Sequence, residues 1–199
     1  MNKSYDNLNF YNQQAELYCT KTINCDLTDI YQDFLAKIPH GGLILDFGCG
    51  SGRDAKKFHN LGYQVELTDG SAALCEYARK YTNLPVKQML FEELDADEKY
   101  DGIWACCSVM HVEKENFPKI LRKMSRALKP GGVMYLSFKV GDEFIVREGK
   151  YYNLMTKPAV LEILQNFPEL KLYHHTETAP RSGRPGKETW GNFYLEKIK

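Results

Sequence analysis

The sequence predicts an α/β fold built on one mostly parallel sheet, and three observations support this prediction. Short apolar runs alternate with segments whose apolar residues have helical spacing. Turns rich in glycine and proline separate several of these segments. The last two predicted strands have no helix between them, so they must pair as a hairpin that places one antiparallel strand in the sheet. Such alternation predicts a sheet with helices on both faces.

The elements follow one another in a regular order along the chain. Residues 4–38 have helical spacing and predict an N-terminal helical cap, over 1–38, that ends at Pro39. Strands are predicted at residues 43–47, 65–68, 86–90, 102–107, 133–139, 170–176 and 189–198. Helices are predicted at residues 53–61, 71–81 with Ser71 as N-cap, 117–128 and 157–166. Segments 141–153 and 179–188 are long for connections and predict loops that close over a substrate.

Length and composition limit the possible functions. The 199 residues suit one domain over 1–199, and 26 basic residues balance 26 acidic ones. Nucleic-acid binders usually carry a basic excess, so a nucleic-acid partner is disfavoured. The six cysteines match no zinc pattern, and no metal site is expected. The polar N-terminus lacks an apolar core and no apolar run reaches the ~20 residues of a membrane span, so we expect a cytoplasmic monomer or homodimer.

The strongest motif is a glycine-rich turn after the first predicted strand. Gly48, Gly50 and Gly52 alternate along the turn and would let the backbone approach a ligand closely. A dinucleotide-binding loop is the obvious alternative, but its GxGxxG pattern requires glycine where Arg53 stands. Asp46, just before the turn, would repel a pyrophosphate and attract an ammonium group. The spacing favours a cofactor that carries an amino acid.

A second acid closes the neighbouring predicted strand. Asp69 follows Asp46 by 23 residues, where a carboxylate can accept hydrogen bonds from both hydroxyls of a ribose. Dinucleotide folds place an acid similarly, so Asp69 indicates a nucleoside without saying which one. The alternative is an aspartate that only caps the next helix.

Four segments, in order and spacing, resemble the class I S-adenosylmethionine-dependent methyltransferases of Rossmann-like fold. They are LILDFGCGSGRDA, VELTDGS, YDGIWACCSVMHV and LKPGGVMYLSFK, and the resemblance covers about residues 40–140. It implies a seven-stranded sheet in the order 3-2-1-4-5-7-6 with strand 7 antiparallel. It also implies S-adenosylmethionine as cofactor and S-adenosylhomocysteine as product.

The resemblance further implies roles for the matching positions. The methionine part of the cofactor would lie against Asp46, Gly48, Cys49, Gly50 and Gly52. The ribose and adenine would contact Asp69, Gly70, Ser71, Phe91 and Glu92, although Glu92 could equally be a surface charge. The methyl region would be lined by Cys106 and Cys107. N-terminal helices of the family often cover the cofactor, which suggests Tyr11, Tyr18 and Thr22.

The acceptor site is harder to predict, because in-line methyl transfer mainly requires alignment and needs a base only for a protonated acceptor. His111, just past the fourth strand, is the leading candidate base, with a structural turn cap as the alternative. Arg181 and Arg184 could bind an anionic acceptor, since guanidinium matches carboxylate geometry, or could belong to a solvated basic loop. Arg147, in segment 141–153, is a further candidate for substrate binding. Trp190 is either a substrate contact or a loop anchor.

The preferred function is methyl transfer to a small molecule. The alternatives are a methyltransferase acting on tRNA or protein, a nucleoside-binding sensor without catalysis, and a nicotinamide oxidoreductase. The stretch Ala105-Cys106-Cys107-Ser108 after the fourth strand lacks the Asn/Asp-Pro-Pro-aromatic run typical of DNA amino-methyltransferases.

Overall fold

A computed structural model describes residues 5–181 and 188–198. Its main sheet has seven strands in the order β3-β2-β1-β4-β5-β9-β8, and β6 and β7 form a separate two-stranded sheet. The strands are β1 Leu43–Phe47, β2 Gln64–Asp69, β3 Val86–Gln88, β4 Tyr100–Ala105, β5 Leu128–Lys139, β6 Phe144–Arg147, β7 Lys150–Asn153, β8 Leu170–Thr178 and β9 Trp190–Lys197. Strand β9 is antiparallel to both β5 and β8, whereas β1 to β5 pair in parallel. The predicted order 3-2-1-4-5-7-6 is confirmed, with β8 and β9 as strands 6 and 7.

Polar side chains set the start of several helices. The helices are α1 Asn7–Thr22, α2 Thr28–Leu35, α3 Arg53–Asn60, α4 Ala72–Thr82, α5 Phe117–Ala127 and α6 Lys157–Leu164. The Ser71 hydroxyl accepts a hydrogen bond from the Leu74 backbone amide and caps α4, as the sequence predicts. The helical segment 4–38 is divided in two, because the Asp26 carboxylate accepts hydrogen bonds from the backbone and side chain of Thr28 and forms a turn.

Side chains alternate between the two faces of the sheet and bury a core on each. On one face Phe34 of α2 and Phe58 of α3 pack around Trp104 of β4, with ring centroids 5.0 and 5.2 Å from the indole. On the other face Ile103 belongs to a cluster with Leu121 of α5. Each such side chain contributes about 1.5–3 kcal/mol when fully buried. The two cores fix the edge of the sheet at which β1, β2 and β4 end.

Strand β5 begins earlier than the sequence predicts. The expected start was residue 133, after the turn 129–132, but Leu128 already pairs with Tyr100 of β4. The register then shifts, so that Val133 pairs with Gly102. Gly131 has φ +77°, which glycine adopts without strain, and absorbs the extra residues as a bulge.

Segment 141–153, predicted as a loop, instead contains the hairpin β6–β7. Glu148 and Gly149 have φ values of +53° and +71°, which is typical of the two-residue turns that suit the twist of paired strands. Phe144, Ile145 and Val146 precede this turn and Tyr151 and Tyr152 follow it, which is a sequence signal for a hairpin. The hairpin contacts the start of α1, because the Gly149 carbonyl accepts a hydrogen bond from the Asp6 amide.

Asn7 strengthens the contact between α1 and the hairpin. Its side-chain oxygen accepts from the Tyr151 amide at 2.8 Å, and its amide nitrogen donates to the carbonyls of Tyr151 and His111 at 3.4 and 3.3 Å. One side chain thus joins the N-terminal helix, the hairpin and the segment after β4.

Over residues 5–181 and 188–198, the helices are all too short or too polar to cross a membrane.

Candidate active site

Two neighbouring cavities lie beyond the carboxyl ends of the central strands. The smaller has a volume of about 280 Å³ and the larger about 490 Å³. Tyr11, Tyr18 and Cys107 line both cavities and form the wall between them. Open parallel sheets bind ligands at this edge, so the two cavities form the candidate active site.

The glycine loop, residues 48–52, forms one side of the smaller cavity. Gly48 has φ +85°, and a Cβ placed on it would lie 2.5 Å from the Cβ of Ser108. The amides of Gly48 and Cys49 donate to the Thr68 carbonyl at 2.9 and 2.8 Å. Gly48 and Gly50 line the cavity, as the prediction of a close backbone approach requires.

The remaining residues of the loop lie away from the smaller cavity. Gly52 has φ +78°, and a Cβ there would meet the Thr82 methyl group at 2.6 Å, so this glycine allows α3 to pack against α4. Cys49 is buried and, like Gly52, lines neither cavity. Their predicted contact with the methionine part of a cofactor stays a prediction.

Asp46 is buried behind the loop and lines neither cavity. Its carboxylate accepts a hydrogen bond from the Ala55 amide at 3.2 Å, which satisfies one amide in the first turn of α3. Burial, together with the nearby Asp54 carboxylate, raises the pKa of Asp46 well above its usual value. The structure gives Asp46 a role in positioning the loop, and its contact with an ammonium group stays a prediction.

Asp69 lies at the end of β2 and lines the smaller cavity. One carboxylate oxygen accepts from the Gly50 amide and the other from the Ser71 amide, both at 2.9 Å. Burial raises the pKa of Asp69, although these backbone hydrogen bonds favour the charged form. Because each carboxylate oxygen has a second lone pair, Asp69 can still accept two hydroxyl groups.

The other predicted nucleoside contacts surround Asp69. Gly70, Phe91 and Glu92 line the same cavity. The Phe91 ring packs edge-on against Phe47, with centroids 4.9 Å apart. Ser71 lines neither cavity, because its hydroxyl caps α4 and donates to the Asn12 side chain at 2.7 Å.

His111 lines the smaller cavity, and both of its ring nitrogens are hydrogen-bonded. Nε2 lies 2.8 Å from the Tyr11 hydroxyl, and Nδ1 lies 2.7 Å from the Tyr151 carbonyl. A carbonyl can only accept, so Nδ1 carries the proton and Nε2 accepts from Tyr11. Burial lowers the pKa of His111 to about 4. The structure makes His111 a neutral positioning residue for Tyr11, and its role as a base stays a prediction.

Two adjacent cysteines follow β4. Cys107 has φ +53°, and its amide donates to the Ser137 hydroxyl at 2.7 Å, so the backbone turns sharply at the wall between the cavities. Cys106 lines only the larger cavity. A hydrogen bond from the Cys106 thiol lowers the pKa of Cys107, and that bond together with burial raises the pKa of Cys106.

The predicted acceptor residues line the larger cavity as far as the structure describes them. Arg147, Arg181, Trp190 and also Thr22, which was predicted to contact the cofactor, belong to its wall. Both guanidiniums already have partners: Arg181 forms a bidentate pair with Asp29 at 2.5 Å, and Arg147 contacts Glu188 at 2.6 Å. Arg184 lies outside the described residues.

Several residues that line the two cavities were not among the predicted site residues. Asn7 and Leu8 of α1 line the smaller one, and Lys139, Lys150 and Glu188 line the larger. Lys139 ends β5, so the rule that ligands bind beyond strand ends could have identified it. No comparable signal marks Lys150, since its position depends on the hairpin. Among the described residues, no three His, Cys, Asp or Glu side chains are grouped as a metal site would need.

Comparison with known proteins agrees with this geometry. Residues 44–132 match the family model described as "Methyltransferase domain". A relative from Haemophilus influenzae (strain 10810), described as "Probable S-adenosyl-L-methionine-dependent methyltransferase TehB", is 30% identical over 132 residues. That alignment covers 63% of this chain but only 45% of the relative, so this chain matches less than half of that protein.

Two further proteins extend the comparison. The "Ubiquinone biosynthesis O-methyltransferase" of Xanthomonas oryzae pv. oryzae (strain PXO99A) is 29% identical over 154 residues, which cover 66% of this chain and 64% of the relative. A crystal structure of Burkholderia thailandensis 1,6-didemethyltoxoflavin-N1-methyltransferase, with bound 1,6-didemethyltoxoflavin and S-adenosylhomocysteine, superposes with a TM-score of 0.74. It shares 18% identity, and the match covers 96% of this chain and 85% of that chain, which shows a common fold.

The sheet order, the glycine loop, the acid at the end of β2 and the family match agree. Residues 44–132 therefore match a methyltransferase domain, and the chain shares its fold with the Burkholderia methyltransferase.

Proposed function

We propose that this protein transfers a methyl group from S-adenosylmethionine, bound in the smaller cavity, to a small molecule bound in the larger one. The observation that carries the proposal is the common wall: Tyr11, Tyr18 and Cys107 line both cavities. Methyl transfer is an in-line displacement, so the acceptor and the cofactor must meet at one point from two sides.

The residues of the smaller cavity suit the proposed cofactor. Gly48 leaves space that a Cβ would fill, since that atom would lie 2.5 Å from Ser108. Asp69 can accept the two ribose hydroxyls, and Phe91 offers an aromatic ring beside it for adenine. When bound, the cofactor supplies an electrophilic methyl group on a sulfonium.

The protein's own contribution is mainly positioning. His111 holds the Tyr11 hydroxyl through a 2.8 Å hydrogen bond, which fixes that ring on the wall between the cavities. Because the pKa of His111 is about 4, the ring is neutral at pH 7 and a weak base. This arrangement suits an acceptor atom that carries a free lone pair at neutral pH.

The size of the larger cavity favours a small acceptor over a macromolecule. A volume of about 490 Å³ is within the range of small-molecule sites. The balance of 26 basic and 26 acidic residues offers no general attraction for tRNA. The name of the Xanthomonas relative, an O-methyltransferase of ubiquinone biosynthesis, also supports a small acceptor.

Calorimetry with S-adenosylhomocysteine tests the cofactor site. Asp69→Ala should weaken binding by about 1–3 kcal/mol, because the ribose hydroxyls lose a buried acceptor. Asp95→Ala, which removes an exposed carboxylate that lines neither cavity, should bind like the wild type. Equal affinities of Asp69→Ala and the control, or tighter binding of NAD, would contradict the assignment.

A labelled methyl group tests the reaction. The protein is incubated with methyl-labelled S-adenosylmethionine and, in separate arms, a small-molecule extract, bulk protein and tRNA. Label should move to the small-molecule fraction alone. Label on protein or tRNA would support the alternative acceptors, and cofactor binding with no transfer in any arm would support a sensor.

A further inference from the structure

Two adjacent cysteines stand on the wall between the cavities, and both have free thiols. Cys106 lines the larger cavity and Cys107 lines both. Both residues are partly exposed, whereas Cys19, Cys49 and Cys75 are buried. A small solute that enters the larger cavity can therefore reach this pair.

The turn after β4 brings the two sulfur atoms together. Successive side chains of a strand point to opposite faces, which would keep the thiols of neighbouring residues apart. Strand β4 ends at Ala105, Cys107 has φ +53°, and the two Sγ atoms lie 3.9 Å apart. This backbone conformation costs a residue with a Cβ about 1–2 kcal/mol, and such strain occurs most often where it serves a function.

The surroundings of the two thiols favour a reaction that begins at Cys107. Its sulfur accepts hydrogen bonds from the Cys106 thiol and, at 3.5 Å, from the Ser137 hydroxyl. These bonds and the positive charge of Arg53 lower the pKa of Cys107, against the opposing effects of burial and Asp54. The hydrogen bond between the two thiols raises the pKa of Cys106. Because the thiolate is the form that attacks a peroxide, Cys107 is the sulfur that reacts first.

We propose that Cys106 and Cys107 form a redox-active pair that a small peroxide oxidises to a disulfide, and that this disulfide weakens cofactor binding. The oxidation is independent of methyl transfer, whereas its effect on the cofactor rests on the proposed function. Partly exposed cysteines of lowered pKa, placed beside a second cysteine, are the usual targets of peroxide.

The reaction balances with one molecule of hydrogen peroxide. The Cys107 thiolate attacks one oxygen, the O–O bond breaks, and hydroxide leaves to give a sulfenic acid. The Cys106 sulfur then attacks the Cys107 sulfur, the S–O bond breaks, and the departing hydroxide takes the Cys106 thiol proton as water. The proton that Cys107 released converts the first hydroxide into a second water. The two thiols lose two electrons, which the peroxide accepts.

The disulfide should be easy to reduce. The Cα atoms of neighbouring residues are about 3.8 Å apart, whereas those of most disulfides are about 4.4–6.8 Å apart. A disulfide that departs from the preferred geometry is reduced more readily, and such bonds are typical of regulatory rather than structural pairs. A thiol reductant should therefore return the pair to the dithiol.

Closing the bond should disturb the smaller cavity through the next residue. The sulfurs must approach from 3.9 Å to a bond length of about 2.05 Å, which turns the backbone at Cys107. The Ser108 hydroxyl donates to the Phe47 carbonyl at 2.6 Å, and Gly48 packs against the Ser108 Cβ. A movement of Cys107 is thus transmitted to the glycine loop.

Mass spectrometry of one tryptic peptide tests the reaction. Cleavage after Lys99 and Lys114 releases residues 100–114, which contain Cys106, Cys107 and no other cysteine. The protein is treated with hydrogen peroxide at pH 7, freed of peroxide with catalase, alkylated with iodoacetamide in denaturant and digested. The peptide should lose two hydrogens and carry no alkyl group, and dithiothreitol added before alkylation should restore two alkyl groups. Two alkyl groups after peroxide treatment, or oxygen atoms added to the sulfurs in place of the disulfide, would overturn the proposal.

Three variants assign the roles of the two sulfurs. In Cys106→Ser, the remaining thiol should still react and be trapped by dimedone as a sulfenic acid. In Cys107→Ser, Cys106 should react at least about tenfold more slowly, because less of its thiol is ionised. Cys25→Ser removes a partly exposed cysteine that also lines the larger cavity, and it should leave disulfide formation unchanged. Equal rates in Cys106→Ser and Cys107→Ser would show that Cys107 is not the first sulfur to react.

Calorimetry measures the consequence for the cofactor site. Oxidised protein should bind S-adenosylhomocysteine about fivefold or more weakly than reduced protein, and dithiothreitol should restore the affinity. Because such coupling is reciprocal, saturating S-adenosylhomocysteine should shift the pair toward the dithiol in a glutathione redox buffer. The same affinity in both forms would overturn the coupling. If neither form bound S-adenosylhomocysteine, the proposed function and the coupling would both fail, while the peptide mass would still show whether the pair is oxidised.

Discussion

The smaller and larger cavities meet at one wall, but they are built in different ways. The smaller is lined by the glycine loop after β1, the end of β2 and the segment after β3, together with α1 and residues 107–116. The larger is shaped by side chains from α1, β5, the hairpin β6–β7 and the connector after β8. Part of the first, residues 48–50 and 69–70, lies in two motifs that the sequence displays, whereas the residues of the second carry no such motif. The proposed cofactor site therefore carries a local sequence signal, and the proposed acceptor site does not.

The largest effect should come from filling the glycine loop. Gly48→Ala should cost about 3 kcal/mol of unfolding free energy, since the new Cβ lies 2.5 Å from Ser108 and φ is +85°. Gly131→Ala, at φ +77° with no atom within 4 Å of the new Cβ, should cost only about 1–2 kcal/mol. Urea unfolding measures both costs, and calorimetry should show weaker S-adenosylhomocysteine binding in Gly48→Ala alone. Equal losses of unfolding free energy in the two variants would show that the loop can accommodate a Cβ at position 48.

An intermediate effect should come from acid. The pKa of His111 is about 4 in the folded protein and near 6.5 in the unfolded chain, so the unfolded state binds more protons between these values. The stability contributed by neutral His111 is complete above pH 6.5 and is lost as the pH falls toward 4. From pH 7 to 4.5 the wild type should lose about 2 kcal/mol more than His111→Gln.

Chemical denaturation at the two pH values measures this difference. His59→Gln, an exposed histidine that lines neither cavity, should lose as much stability as the wild type. If His111→Gln and the wild type lost the same stability, the ring would be protonated in the folded protein and its positioning role would be wrong.

The smallest effect should come from the boundary between the cavities. Tyr11→Phe removes the hydroxyl that binds His111 Nε2 and should cost about 1 kcal/mol of unfolding free energy. Because Tyr11 lines both cavities, the same variant should also weaken S-adenosylhomocysteine binding slightly. Tyr63 lines neither cavity, so Tyr63→Phe is the matched control for both thermal unfolding and calorimetry. If Tyr11→Phe left both the unfolding free energy and the affinity for S-adenosylhomocysteine unchanged, the hydrogen bond to His111 would contribute nothing to the wall between the cavities.

What could be predicted from the sequence follows the same division. The strand order and the hairpin of β8 and β9 depend on local patterns, and the structure confirms both. Gly48 and Asp69 also carry local signals and line the smaller cavity, while their contact with a cofactor stays a prediction. Asp46 has the same local signal, yet its carboxylate faces the Ala55 amide, because a motif fixes the backbone better than the direction of a side chain.

The larger cavity shows why the remaining residues could not be predicted. Arg181 pairs with Asp29, 152 positions earlier in the chain, and no pattern in either segment indicates that contact. Lys150 reaches the cavity only because Glu148 and Gly149 make a tight turn in a segment that we expected to be a loop. Such positions follow from tertiary packing, which a single sequence does not display.

The hydrogen bonds of Asn7 limit how the two cavities can be redesigned. The Asn7 side chain bonds the first turn of α1, which lines the smaller cavity, to Tyr151 of the hairpin, which lines the larger one. Replacing the hairpin would remove these hydrogen bonds and loosen α1, which lines the proposed cofactor site. The walls of the two cavities are therefore coupled through Asn7. Variants meant to change the proposed acceptor should alter side chains of the larger cavity and leave Asn7 and its partners in place.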